Sequence, residues 1–287
     1  MGLLCLQSCI KDDLSDCISR LRIELEWIQT QPHDNQEQVQ LTITPTDFDR
    51  AEIDLTSDIY GRDVELRPDM YRIVGWEPAD NITITGDTVT LATDANTYAL
   101  IPQSFSGGAT EAEVYASRGD QVIPLPMRRQ TRPLCVKVYF TGEGAADVEG
   151  LQAQLEGVTL ERNIDDAFPP ASGRVRPPAY RNGSAYYTFG WQDAGYWFTT
   201  QRLIGVDGDA AQKLNFTVFF DGGYSDTITL DVTGDMVGYH TEDVENPWCI
   251  TVTMDLTEIL ILTITDWYAG ADDRQRSPDR RASGGGR

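Results

Sequence analysis

The residues able to do chemistry are few and far apart. Five cysteines, Cys5, Cys9, Cys17, Cys135 and Cys249, contain no CxxC pair and share no ligand spacing with the two histidines, His33 and His240. The tetrahedral Cys/His set that zinc demands is therefore not written in the chain. No serine sits in a GxSxG turn, so a strained nucleophile elbow is not expected. A glycosidase pair would need two carboxylates about 5 to 9 Å apart, a separation that only three dimensions define. Asp207 and Asp209 in VDGDA, and Asp47 and Asp49 in PTDFDRAE, cluster hard oxygens without completing an EF-hand loop. They read as turn aspartates. The expectation is a chain with no catalytic residue, no metal ligand and no cofactor.

Two further groups invite binding or cross-linking rather than catalysis. The stretch FGWQDAGYWF places Trp191, Tyr196, Trp197 and Phe198 beside Gln192 and Asp193. Flat apolar faces next to polar groups suit the stacking of sugar rings, and the same rings equally suit core and cross-strand packing. Cys135 and Cys249 each open a strand-like run in the later half. In an oxidising exterior they can join as a disulfide, or they can remain separate thiols.

Charge narrows the class of partner. The 287 residues carry 45 acidic against 23 basic side chains, a net charge of -22, which repels phosphate backbones and anionic headgroups. Nucleic acid is excluded as a partner on that ground. No run of eighteen apolar residues occurs, so no helix in the chain is expected to cross a membrane.

The elements that must position these groups have a period of two. Leu21, Ile23, Leu25 and Trp27 alternate with Arg22, Glu24 and Glu26, the pattern of a half-buried strand. VQLTIT, NITIT, DTVTLAT, CVKVYF, LNFTVFF, DTITLDVTG, WCITVTMDL and LILTITDW repeat it. Gly86 and Asp87 mark a hairpin turn between NITIT and DTVTLAT. In DVEGLQAQLEGVTL, Val148, Leu151 and Leu155 could share a helix face. The alternation of Leu151, Ala153 and Leu155, with Gly150 and Gly157 beside them, favours a strand. About a dozen short strands without a βαβ rhythm predict antiparallel sandwiches.

The basic, proline-flanked segment LPMRRQTRP marks a junction near Thr131. DAFPPASGRVRPPAYRNGS reads as a long surface loop, and the tail beyond Trp267 as too poor in apolar residues to order itself. In EILILTITDW, Ile259, Leu260, Ile261 and Leu262 are apolar on both faces of a strand. Such a run needs cover on both sides, as in the centre of a sheet.

The start of the chain carries an address. Leu6-Gln7-Ser8-Cys9 resembles a bacterial lipobox, in which the cysteine is lipidated, although the apolar lead from Gly2 to Leu6 is shorter than the usual seven to fifteen or so residues. Lys11, Asp12 and Asp13 follow at the offset of the signal that sends Bacteroidetes lipoproteins to the outer face of the outer membrane.

SCIKDDLSDC, DMYRIVGWEPADNITI, IPQSFSGGATEAEVY, PLPMRRQTRPLCVKVYF and the closing LTITDWYAG together resemble the fimbrillin-type lipoproteins of Bacteroidales, in particular the anchoring subunits of major and minor fimbriae. The resemblance runs from Cys9 to about Gly270. It implies an all-β fold of two tandem transthyretin-like, Greek-key antiparallel β-sandwiches. On this reading residues 1–8 are a leader remnant, 9–20 an acidic tether, 21–131 and 132–268 the two sandwiches, and 269–287 a disordered tail. The implied role is a non-catalytic anchoring or accessory pilus component at the cell surface. Its partners would be other fimbrial subunits, outer-membrane lipid through Cys9, and host or bacterial surface glycans or proteins. Strand exchange between subunits would draw on Ile259 to Leu262. The alternative from another class is a surface glycan-binding protein using Trp191 and Trp197.

Overall fold

A computed structural model of the chain describes residues 18–31, 37–46, 51–116, 121–171, 173, 177–241, 246–257 and 261–269, the last of these as backbone. Cys9, Lys11, Asp12, Asp13, Asp47, Asp49, Ile259 and Leu260 lie outside the described residues, as does the tail from Gly270. Among the described residues there is no α-helix; strands and two short 3-10 turns build the whole.

The strands of the earlier half are β1 (Ser19–Trp27), β2 (Val39–Pro45), β3 (Ile53–Ser57), β4 (Gly61–Leu66), β5 (Asp69–Trp76), β6 (Ile82–Thr85), β7 (Thr88–Leu91), β8 (Ser106–Val114) and β9 (Gln121–Arg129). The later half contributes β10 (Arg132–Thr141), β11 (Val148–Asn163), β12 (Arg181–Thr188), β13 (Gly190–Gln192), β14 (Tyr196–Leu203), β15 (Lys213–Phe220), β16 (Ser225–Asp231), β17 (Trp248–Asp255) and β18 (Ile261–Ala269).

Alternation works as expected in β1, where Leu21, Ile23 and Leu25 are buried. Arg20 and Arg22 point outward and pair with Glu65 and Asp63 of β4 at 3.2 and 3.1 Å. These pairs are exposed, so they fix register more than they stabilise. The first sheet runs β3-β2-β5-β8-β9-β1-β4, but only Ser106 opposite Arg129 and Gly107 opposite Arg128 join β8 to β9. There it folds over itself: a Cβ on Gly75 of β5 would meet Leu125 of β9 at 2.7 Å and Leu41 of β2 at 3.0 Å. Two layers thus share one core of Leu21, Ile23, Leu41, Ile43, Ile73 and Leu125.

The second sandwich stacks a five-stranded sheet, β13-β14-β10-β17-β18, on a six-stranded one, β16-β15-β11-β7-β6, with β12 also paired to β11. Leu134, Val136, Trp248 and Ile250 from one layer meet Leu151, Leu155, Phe216 and Val218 from the other. Each such side chain, fully buried, contributes about 1.5–3 kcal/mol. The segment that could have been helical is all strand, and β11 passes through a bulge between Glu156 and Val158. Gly157 makes that bulge possible. Its φ is +73°, and a Cβ there would meet the Ala211 carbonyl oxygen at 2.6 Å.

The all-β sandwich expectation holds, with parallel pairings inside it: β1 runs parallel to β9, and β10 parallel to β17. Period two reports which face a residue occupies and is silent on strand direction. The β6–β7 hairpin, drawn from the earlier half, hydrogen-bonds to β11, with Val89 opposite Arg162, and Val89 and Leu91 fill the larger core. The stretch read as a surface loop begins as core, since Ala167 and Phe168 are buried. Finally, β18 stands at the end of its sheet order and not in the centre; a locally apolar run does not reveal how many neighbours it will have.

Candidate functional site

The junction at Thr131 is a densely hydrogen-bonded, buried polar region. Gln130, Thr131 and Arg132, in the basic, proline-flanked segment that marks the junction, are all fully buried. Arg132 donates through Nε to the Asn246 carbonyl at 3.1 Å and through NH1 to that of Tyr239 at 2.5 Å. Its guanidinium lies over the rings of Tyr239 and Trp248. The Tyr239 hydroxyl donates back to the Arg132 carbonyl at 2.7 Å, and burial pushes the Tyr239 phenol well above its ordinary pKa.

Arg162 of β11 reaches the same region. Its donors meet the carbonyls of Ile204, Asn163 and Gln130 and the Gln130 Oε1, all at 2.8–2.9 Å. Burial pulls its pKa down to about 10, with the Asp166 charge acting the other way. Gln130 in turn donates to the carbonyls of Gly107 and Ile164. The segment between β9 and β10 is thereby bolted to both sandwiches by neutral acceptors around charged donors. Phe168 closes the region, edge-on to Tyr239 and stacked at 4.8 Å on the ring of His240. The signal in the sequence was a cluster of arginines in an acidic chain, and no local pattern says that such a cluster will be buried.

The aromatic group is split by its strand pairing. Trp191 of β13 lies opposite Trp197 of β14, with ring centroids 5.7 Å apart in an edge-on pair. Trp197 is 9% exposed and part of the core, whereas Trp191 is 57% exposed. On the other face, Tyr196 packs against Tyr139 and Phe198 and under the Lys137 ammonium. We expect Trp197→Ala to cost about 3–5 kcal/mol in urea unfolding, the range for a buried aromatic, and Trp191→Ala about 1 kcal/mol or less, the value of one aromatic pair. Equal losses would contradict the split.

Cys135 and Cys249 are directly opposite each other on the parallel strands β10 and β17. They are joined as a disulfide with Cα atoms 4.5 Å apart. Asp207 is a turn residue: its Oδ1 accepts from the backbone of Ala179 and Asp209 and its Oδ2 from Asn182. Among the described residues no group of three or more His, Cys, Asp or Glu is placed to hold a metal ion. Of the run Ile259 to Leu262, Ile261 and Leu262 lie on β18 opposite Asp255 and Met254.

This arrangement of sheets recurs in solved structures. A candidate adhesin from Bacteroides ovatus superposes with a TM-score of 0.62 at 15% identity, covering 90% of this chain and 96% of that one. The fimbrial anchor protein Mfa2 from Porphyromonas gingivalis gives a TM-score of 0.58 at 11% identity, covering 88% and 97%. The chain has the fold of Bacteroidales adhesins and fimbrial proteins. A candidate polysaccharide-binding protein from Bacteroides thetaiotaomicron shares that adhesin fold, at a TM-score of 0.57 and 10% identity over 90% of this chain and 99% of that one. No protein-family model and no curated protein sequence matches the chain.

Proposed function

We propose that this protein is a non-catalytic surface lipoprotein of the fimbrillin type, an anchoring or accessory component of a fimbria that serves cell adhesion. The observation that carries the reading is the shared fold along nearly the whole chain with a fimbrial anchor and with adhesins. The lipobox-like Cys9 and the Lys11, Asp12, Asp13 signal support attachment to the outer face of the outer membrane. Two acyl chains on Cys9, at about 0.8 kcal/mol per buried CH2, suffice for lasting attachment. The position of β18 at the end of its sheet among the described residues supports pairing with a strand of another subunit, because an edge offers backbone donors and acceptors to a partner. In this reading the two sandwiches, the second of them taking in the β6–β7 hairpin, serve as the two successive bodies of the subunit.

Cys9→Ala, expressed in the native cell, is expected to move the protein from the membrane fraction to the soluble one and to leave fimbriae unattached. Retention in the membrane would refute the lipid assignment. A second reading, surface glycan binding, draws on the exposure of Trp191. It requires Trp191→Ala to abolish glycan retention while the fold persists.

A further inference from the structure

The outward face of the six-stranded sheet is uncharged where β12, β11, β15 and β16 lie side by side. Gln152 and Gln154 of β11 alternate with the core residues Leu151, Ala153 and Leu155, and Asn215 and Thr217 of β15 with Leu214, Phe216 and Val218. These four therefore turn away from the core. Register extends them to both sides. Gln154 lies opposite Tyr186 of β12 and Asn215, and Asn215 lies opposite Thr229 of β16. Gln152 lies opposite Thr188 and Thr217, and Thr217 lies opposite Thr227. Neighbouring strands stand about 4.7–4.9 Å apart, so each row of four side chains is about 14 Å long. Tyr186, Thr188, Thr227 and Thr229 are exposed and the other four are half-buried.

A solvent-facing surface ordinarily carries charge at about 25–35% of its positions, and the outward face of β1 and β4 sets Arg20 opposite Glu65 and Arg22 opposite Asp63. The two rows carry no charge. It resumes only in the next row, where Glu156 lies opposite Ser184 and Lys213 opposite Asp231. The amides are held in place. Gln154 Nε2 donates to the Ser184 hydroxyl at 2.9 Å, Asn215 Nδ2 to Glu156 Oε1 at 2.8 Å, and the Thr229 hydroxyl to Asn215 Oδ1 at 2.7 Å. Beside the end of the row that begins at Tyr186, Tyr98 packs on the Tyr186 ring with centroids 5.3 Å apart, and its backbone bridges to Ser184.

An ionised ligand finds no opposite charge on these rows, and a protein partner would need an apolar centre that they do not offer. A sugar chain matches them. Its hydroxyls both donate and accept, as do the side-chain amides and the threonine hydroxyls, and the C–H face of a pyranose ring stacks on an aromatic side chain. Side chains already held by hydrogen bonds lose little freedom when they bind. We propose that Tyr98, Tyr186, Gln152, Gln154, Asn215 and Thr217 form a binding face for a neutral polysaccharide. One ring stacks at the tyrosines, and the following rings cross β11 and β15 along the rows. The site deepens the second, glycan-binding reading and relocates it, since Trp191 belongs to the five-stranded sheet on the other layer of the same sandwich.

The test is affinity electrophoresis of the full chain in native gels that contain dextran, galactomannan or xyloglucan, with polygalacturonate as the charged control. At least one neutral polymer is expected to retard the protein, and Tyr186→Ala or Gln154→Ala is expected to raise the apparent Kd about tenfold, the worth of one aromatic contact or hydrogen bond. Tyr186 is exposed, so its variant should unfold in urea near the parent midpoint. Gln152→Glu keeps the side-chain volume and should weaken retardation as well, because a carboxylate there must be desolvated under the sugar. The proposal is overturned if none of the three neutral polymers retards the protein, or if polygalacturonate alone does so. Retardation that survives Tyr186→Ala and Gln152→Glu also overturns it, and its loss in Trp191→Ala then assigns binding to the other sheet.

Discussion

Reduction of the Cys135–Cys249 disulfide is expected to lower the free energy of unfolding by about 4–5 kcal/mol. The bond spans a sequence separation of 114 residues, and loop-closure entropy assigns about 4.7 kcal/mol to a loop of about a hundred residues. The effect acts on the unfolded chain. In the folded state β10 and β17 are already held in register by their parallel ladder from Leu134 to Thr141, so cutting the bond leaves the native contacts in place. Urea unfolding with and without reductant measures it, and Cys249→Ala should reproduce the reduced value without reductant. Removing both cysteines should cost no more than removing one, since either change breaks the bond. Labelling of both thiols in unreduced, denatured protein would sink the prediction.

Arg162→Met is expected to lower stability by about 3–5 kcal/mol. Methionine follows much of the stem but removes every donor, leaving the carbonyls of Ile204 and Gln130 and the Gln130 Oε1 without the bonds they now accept. Each orphaned buried acceptor costs about 1–3 kcal/mol. Relief from burying a charge offsets part of this, as the depressed pKa of about 10 implies, but a buried ionic network is replaced without loss only when all its members become apolar together. Here all the acceptors but the Gln130 Oε1 are backbone carbonyls and cannot. Arg162→Lys should recover less than half the loss, because an ammonium on a single stem cannot span acceptors on three segments. The readout is the urea midpoint at unchanged m-value. A variant within about 0.5 kcal/mol of the parent, the scatter of ordinary surface changes, would show that the network does not hold the junction.

Both predictions concern groups whose partners are distant in sequence, which is why their roles were not legible there. Cys135 and Cys249 were visible as a possible pair, yet pairing depended on β10 and β17 lying side by side. Arg162 carried no signal at all: it sits in a strand between Glu161 and Asn163, where alternation predicts only a face. Trp191 and Trp197 were read as a unit, and strand pairing left one outside and one in the core. Proline and arginine around Thr131 marked a junction, and only the structure shows Gln130, Thr131 and Arg132 fully buried there, with the carbonyls of Gly107, Ile164 and Tyr239 accepting from Gln130 and Arg132.

By itself the sequence determined that the chain is built of strands, that Leu21, Ile23 and Leu25 of β1 turn inward, and that a net charge of -22 repels other polyanions. These follow from period-two alternation and from net charge, which are properties of neighbouring residues and of the sum. Only the tertiary structure decided that β1 and β10 run parallel to β9 and β17, that the β6–β7 hairpin packs into the larger core, and that Gln130, Thr131 and Arg132 are buried at the junction. Those depend on loop closure over many residues, and a side chain's local pattern says which way it points, not what it will meet.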